Sequence, residues 1–285
     1  MKNMNHTTLQ MFKIVAEEQS VTKAAQKLGR VQSNITTRIQ QLEEDLGVAL
    51  FVRDSKKMIL SPEGESFLSY TKKILSLAEE ARQALHPGKP AGALNMGSME
   101  ATAVSRLMPV FQQFHRRYPD VALALTTQPT QQLLEQVRQA SLDCALVSLL
   151  PDAGGHIQCP EDLESMDVFT ERLVLLVPET ASGNNPRLAA FPRGCSYRAR
   201  AEALLNAQTL VEVQDVSSYH SMIAAVAAGR CSGVLPESVA ATLTLPEGTQ
   251  QQFVANALTQ LVWRKGYRST ALEAMKQILA SAGNL

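Results

Sequence analysis

Between positions 32 and 38 the chain sets six polar side chains, Gln32, Ser33, Asn34, Thr36, Thr37 and Arg38, around one apolar residue, Ile35. Ile35, Ile39, Leu42 and Leu46 fall at i, i+4, i+7 and i+11, a helical stripe that turns inward and leaves the polar set outside. Carboxamides of Gln and Asn pair with adenine edges, a guanidinium binds guanine or phosphate, and hydroxyls reach phosphates or bases. A merely solvated helix face has the same composition. Further on, the polar turn Arg53-Asp54-Ser55-Lys56-Lys57 separates the apolar runs Leu50-Phe51-Val52 and Met58-Ile59-Leu60. This is the pattern of a hairpin, and Arg53, Lys56 and Lys57 at its tip suit phosphate or minor-groove contact.

A second set of reactive types lies beyond residue 90. Gly97-Ser98-Met99-Glu100-Ala101-Thr102 follows a short apolar run and precedes a helical pattern. Free N–H groups at such a junction hold anions, and Ser98 and Thr102 add hydroxyls. Glu100 opposes an anion or binds a cationic amine, and an ordinary helix cap would use the same residues. Gly194-Cys195-Ser196-Tyr197 and Ser217-Ser218-Tyr219-His220 occupy equivalent positions before later helices, and Gln128 and Ser148 end strands. Cys195 and His220 are the types of a Cys–His nucleophile pair, and Cys195 alone of a redox sensor. No nucleophile-elbow, zincin, Walker or dinucleotide motif accompanies them, so the chemistry expected is binding rather than catalysis.

Three short helices must carry the first set: Thr8 to Glu18, a second capped by Ser20 and stopped at Gly29, and a third from Gln32 to Gly47. Ser61-Pro62-Glu63 then opens a long helix. Its Phe67, Thr71, Ile74, Ala78, Ala81 and Leu85 recur at alternating spacings of 4 and 3, a heptad seam that points to pairing with a second copy, although a helix lying on its own domain would show the same pattern. Pro87-Gly88-Lys89-Pro90 ends it. Thereafter strands alternate with helices, among them a helix over 103–118 and strands over 173–177, 210–213 and 258–263, which argues for α/β units.

A chain of 285 residues suggests two domains. The net charge of zero excludes a polybasic chain, although residues 20–60 carry seven Lys/Arg against four Asp/Glu. The four cysteines, at 144, 159, 195 and 231, include no C-x-x-C pair and read as reduced thiols, not as a disulfide frame or zinc site. The N-terminus does not read as a signal peptide, and no run approaches a membrane span of roughly 18 apolar residues. The expected location is the cytoplasm, with no metal.

The collinear segments A-E-E-Q-S-V-T-K-A-A-Q-K-L, V-Q-S-N-I-T-T-R-I-Q-Q-L-E-E-D-L-G-V-A-L-F and L-S-P-E-G closely resemble the LysR-type transcriptional regulators. The resemblance extends to G-S-M-E-A-T-A, F-P-R-G-C-S-Y-R and L-V-W-R-K-G. It implies an α+β, α/β multidomain chain. A winged helix-turn-helix would occupy residues 1–60, a linker and dimerisation helix 61–88, and a two-lobed α/β effector domain resembling periplasmic binding proteins 91–285. Lobe I would take about 91–166 plus 266–285, and lobe II about 167–265, with crossing segments near 166–169 and 261–265. It also implies double-stranded DNA as partner, a homodimer or homotetramer, and RNA polymerase if the chain activates. No cofactor is implied beyond a small-molecule co-inducer, held where the loops at Ser98, Cys195 and Tyr219 meet. Val31-Gln32-Ser33-Asn34 departs from the family's usual Ser-Gln-Pro-Ala/Ser, and Thr37 stands where arginine is frequent, which points to a different operator preference.

Overall fold

The structure is a computed structural model that describes residues 4–54, 57–85, 88–152, 154–179, 187–206 and 211–282. It divides into two compact units, Met1–Pro87 and Gly88–Leu285.

In the first unit α1 (His6–Glu18), α2 (Val21–Leu28) and α3 (Gln32–Leu46) surround Phe12, Val15, Ala24, Ile35, Ile39 and Leu42, all buried. Asn5 caps α1 through a 3.0 Å bond from the Thr8 N–H, and Ser20 caps α2. The hairpin β1 (Phe51–Asp54) and β2 (Lys57–Leu60) is antiparallel, with Phe51 opposite Leu60. Glu43 fixes the hairpin to α3. Its Oε1 accepts from the N–H groups of Leu50 and Phe51, at 2.7 and 3.1 Å, so this acid serves the fold rather than opposing DNA. The Ser61 hydroxyl accepts from the Gly64 N–H at the start of α4 (Pro62–Leu85). Any Cβ at Gly64 would collide with the Leu50 carbonyl, which is why the turn of α4 nearest the wing needs glycine.

The second unit is built on one sheet of eight strands. Its elements are β3 (Gly92–Ser98), α5 (Glu100–Ser105), α6 (Leu107–Arg117), β4 (Val121–Thr127), α7 (Thr130–Arg138), β5 (Cys144–Val147), β6 (Leu163–Val177) and β7 (Arg187–Ala190). They continue with α8 (Ser196–Asn206), β8 (Glu212–Asp215), α9 (Tyr219–Ala227), β9 (Ser232–Pro236), α10 (Glu237–Ala240), β10 (Gln250–Arg264) and α11 (Thr270–Ala282). The strand order is β4-β3-β5-β10-β6-β9-β7-β8. On one side β3 runs parallel to β4 and β5; on the other β7 runs parallel to β8 and β9. The two halves therefore share one wiring: a first strand, flanked outside by the second and inside by the third. Between them β6 and β10, each 15 residues long, pair antiparallel and join the halves. Val168 is the extra residue at a register shift, because Phe169 faces Thr259 while Asp167 faces Gln260.

Three expectations change. The helix over 103–118 is two helices broken at Arg106, because Pro109 cannot donate to the Ser105 carbonyl and its ring crowds that group. The strands at 173–177 and 258–263 extend to 163–177 and 250–264, and the crossing region extends with them. The strand near 210–213 is 212–215, with Leu210 outside the described residues.

Candidate binding cleft and nucleic-acid interface

On α3, Gln32, Ser33, Asn34, Thr37 and Arg38 are exposed along the face opposite the buried Ile35 and Ile39. Thr36 is half-buried and donates its hydroxyl to the Gln32 carbonyl at 3.1 Å, so it braces the helix instead of projecting freely. Thr22 Oγ1 donates to Gln32 Oε1 at 3.2 Å. This leaves the Gln32 Nε2 as the free end of the carboxamide, a donor. Arg53 lies on β1 and Lys57, exposed, begins β2; Lys56 lies outside the described residues. Lys27 is tied to Glu18 at 2.7 Å, which holds the Glu18 carboxyl below its usual range.

In the second unit a cavity of about 230 Å³ opens where the two halves of the sheet meet. Met99, Glu100 and Gln128 wall it from the first half, and Cys195, Tyr197 and Tyr219 from the second. These six were expected at a binding site from their loop positions. The other five are placed elsewhere. Ser98 is buried and donates its hydroxyl to the Met99 carbonyl at 2.9 Å. Thr102, Ser148 and Ser196 are buried behind the wall, their hydroxyls without a hydrogen bond among the described residues. His220 is exposed on α9 and does not line the cavity, because Tyr219 takes the inward position one residue earlier. Thr130 and Phe191 line the cavity and were not foreseen, and Ser217, in the third expected loop, lines it too. Thr130 stands close to Gln128, an expected strand end; Phe191 follows a four-residue strand that the pattern did not show.

The rim is tied across the cleft. The Gln131 N–H donates to the Gly194 carbonyl at 3.3 Å, and Arg200 Nη2 to the Leu149 carbonyl at 2.7 Å. Beneath, Arg106 Nε meets Glu171 Oε1 at 2.7 Å, and Ser238 donates to Glu171 Oε2 at 2.7 Å. Burial, with Glu171 next in effect, pushes the Tyr197 phenol up. Burial also raises the Cys195 thiol, partly offset by the backbone N–H groups of Arg198 and Tyr197. A thiol raised by burial, with His220 exposed and off the cavity wall, is neither an activated nucleophile nor a sensitised redox centre. The described residues hold no cluster able to ligate a metal, and none of their helices is long and apolar enough to cross a membrane.

Comparison with known proteins accounts for both units. Residues 6–65 match the family model "Bacterial regulatory helix-turn-helix protein, lysR family", and residues 87–284 match "LysR substrate binding domain". The HTH-type transcriptional regulator GltR of Bacillus subtilis is 36% identical over 249 residues, covering 84% of this chain and 82% of that protein. The uncharacterized HTH-type transcriptional regulator YusT of the same organism is 36% identical over 243 residues, covering 83% and 80%. Among solved structures, a full-length OxyR variant from Pseudomonas aeruginosa aligns with a TM-score of 0.74 at 22% identity over 99% of this chain and 95% of that one. CbnR in complex with its target DNA aligns with a TM-score of 0.63 at 22% identity over 98% and 100%. The helix-turn-helix, the two-halved sheet and the regulators it matches place this chain in the LysR family of DNA-binding transcriptional regulators with a substrate-binding domain.

Proposed function

We propose that the cavity between the two halves of the sheet is the effector site, and that the chain works in the cytoplasm as a homodimer or homotetramer joined through α4. The observation that carries this is the cavity itself: about 230 Å³, walled from both halves and tied at its rim by hydrogen bonds that must break if the halves part. It is smaller than the ~300–1,000 Å³ of drug-sized sites, which suits a metabolite. A ligand held there biases the angle between the halves by its differential affinity for the two arrangements, and the DNA-binding units read that angle. The co-inducer is the only small molecule this reading needs. Contact with RNA polymerase follows if the regulator activates.

The test is a thermal-shift screen of metabolites against the full chain and against Ser217→Phe. Ser217 is exposed on the cavity wall, so the larger ring fills the cavity without disturbing the core. Effectors identified on the parent should lose their shift in the variant and lose their effect on a DNA footprint. Equal shifts in both proteins would place the site elsewhere.

A further inference from the structure

The charge on the cavity wall is one-sided. Glu100 is the only charged residue among those lining it, half-buried at the start of α5, and it forms no ion pair among the described residues. Glu100 and Tyr219 both line the cavity, so the two groups face the same space. Three aromatic side chains stand with it: Tyr197, Tyr219 and Phe191, the last two edge to face with centroids 4.9 Å apart.

Three arginines that could receive an anion already have partners. Arg106 is paired with Glu171. Arg198 is paired with Glu202 and Asp215. Arg200 donates to the carbonyls of Ser196 and Leu149. Two helix N-termini around the cavity are also engaged: a Ser218–Ser221 capping box closes α9, and the Gln131 N–H of α7 is spent on Gly194. Neither α5 nor α7 has a side-chain cap, and Glu100 sits in the first turn of α5, on the cavity wall.

We infer that the effector is a small organic cation, an ammonium on an apolar body, its charge held by Glu100 and by the faces of the surrounding rings. A half-buried carboxylate without a counter-charge and an aromatic wall are the two elements from which proteins build ammonium sites. This inference rests on the cavity being the effector site.

Three probes with one ring and three charges test it by calorimetry on the full chain: benzylamine, benzyl alcohol and phenylacetate. Benzylamine should bind best. Glu100→Gln should weaken it roughly tenfold or more while leaving benzyl alcohol unchanged. Ser217→Phe should weaken every probe that binds. If phenylacetate binds as well as benzylamine, and Glu100→Gln tightens it, the site takes an anion: the inference falls and the cavity reading stands. If Ser217→Phe changes no probe's affinity, the cavity reading itself falls. Failure of benzylamine to bind at millimolar concentration also overturns the inference.

Discussion

The backbone of Gln131 and the carbonyl of Gly194 meet across the cleft at 3.3 Å, joining α7 of one half to the loop before α8 of the other. Gly194 holds φ at +96°, and a Cβ there would stand 3.2 Å from the Gln131 Cβ. Closed geometry therefore depends on the absence of a side chain. Gly194→Ala should cost about 1–3 kcal/mol, because the added methyl is strained in this backbone region and presses the opposite wall. Urea unfolding followed by Trp263, the only tryptophan in the chain, reads this loss. Stability equal to the parent's would mean that the two walls are not held this close.

Arg106 and Glu171 make a prediction with an asymmetric outcome. The Glu171 side chain is 4% exposed and that of Arg106 31%. Removing the cation leaves a buried carboxylate with Ser238 as its remaining partner. Arg106→Ala should therefore destabilise by about 3 kcal/mol, at the low end for breaking a buried pair because Arg106 keeps some water. Glu171→Gln should cost less, about 1–2 kcal/mol, and adding it to Arg106→Ala should restore part of the loss. Equal single-variant losses that simply add would show that the pair is not coupled.

The first unit was readable because its signals are local. Ser20, Gly29, Gly47 and Pro62 mark helix ends, and the period of Ile35 and Ile39 orients α3, all within a few residues. In the second unit the inner strands were readable as apolar runs, but the outer parts of β6 and β10 were not. Glu164, Asp167 and Glu171 on one strand, and Gln250 to Gln252 on the other, lack strand preference and are held by pairing with the opposite strand, which lies far away in the chain. The cleft residues show the same division. Loop position identified Glu100 and Tyr197, whereas the inward turn of Tyr219 rather than His220 depends on how α9 packs, which no local pattern encodes.

Glu164 offers a pH prediction. Its carboxylate accepts from the Gly266 N–H at 2.9 Å, from Arg268 and from Trp263 Nε1 at 3.1 Å, and the first of these does most to hold it below the usual carboxylate range. A folded pKa below the unfolded one adds stability above the unfolded pKa and loses it as pH falls through the folded pKa. Trp263 emission should therefore stay constant through the ordinary range of glutamate titration and change only at lower pH. Glu164→Gln should remove that step. A change centred at the ordinary carboxylate pKa would refute the arrangement.

For DNA, Gln32→Ala or Asn34→Ala should relax preference at discrete base positions, costing about 1–3 kcal/mol each in a selection assay. Because Thr22 occupies Gln32 Oε1, the free Nε2 should favour a base acceptor; Thr22→Val should broaden the choice at that position without weakening non-specific binding. Lys57→Ala should weaken binding to all sequences alike and lower the salt slope by about 1. An unchanged slope would remove Lys57 from the contact surface.

The long helix α4 carries the last prediction. The seam read from spacing begins at Phe67 and Thr71, but these two turn inward: the Phe67 ring lies 5.2 Å from Phe12, and Thr71 is buried. The stripe left open on this unit runs through Tyr70, Ile74, Leu77 and Ala81, again at spacings of 4, 3 and 4, with Tyr70 62%, Ile74 41% and Leu77 66% exposed. So continuous an apolar stripe on a 24-residue helix suits a second copy of the same helix. Ile74→Asp and Leu77→Asp should each convert the assembly to smaller species in sedimentation, because a charge in an apolar seam has no partner there. Phe67→Asp should instead unfold the DNA-binding unit, since that ring belongs to its own core. If Ile74→Asp and Leu77→Asp sediment as the parent does, chains do not pair through this stripe.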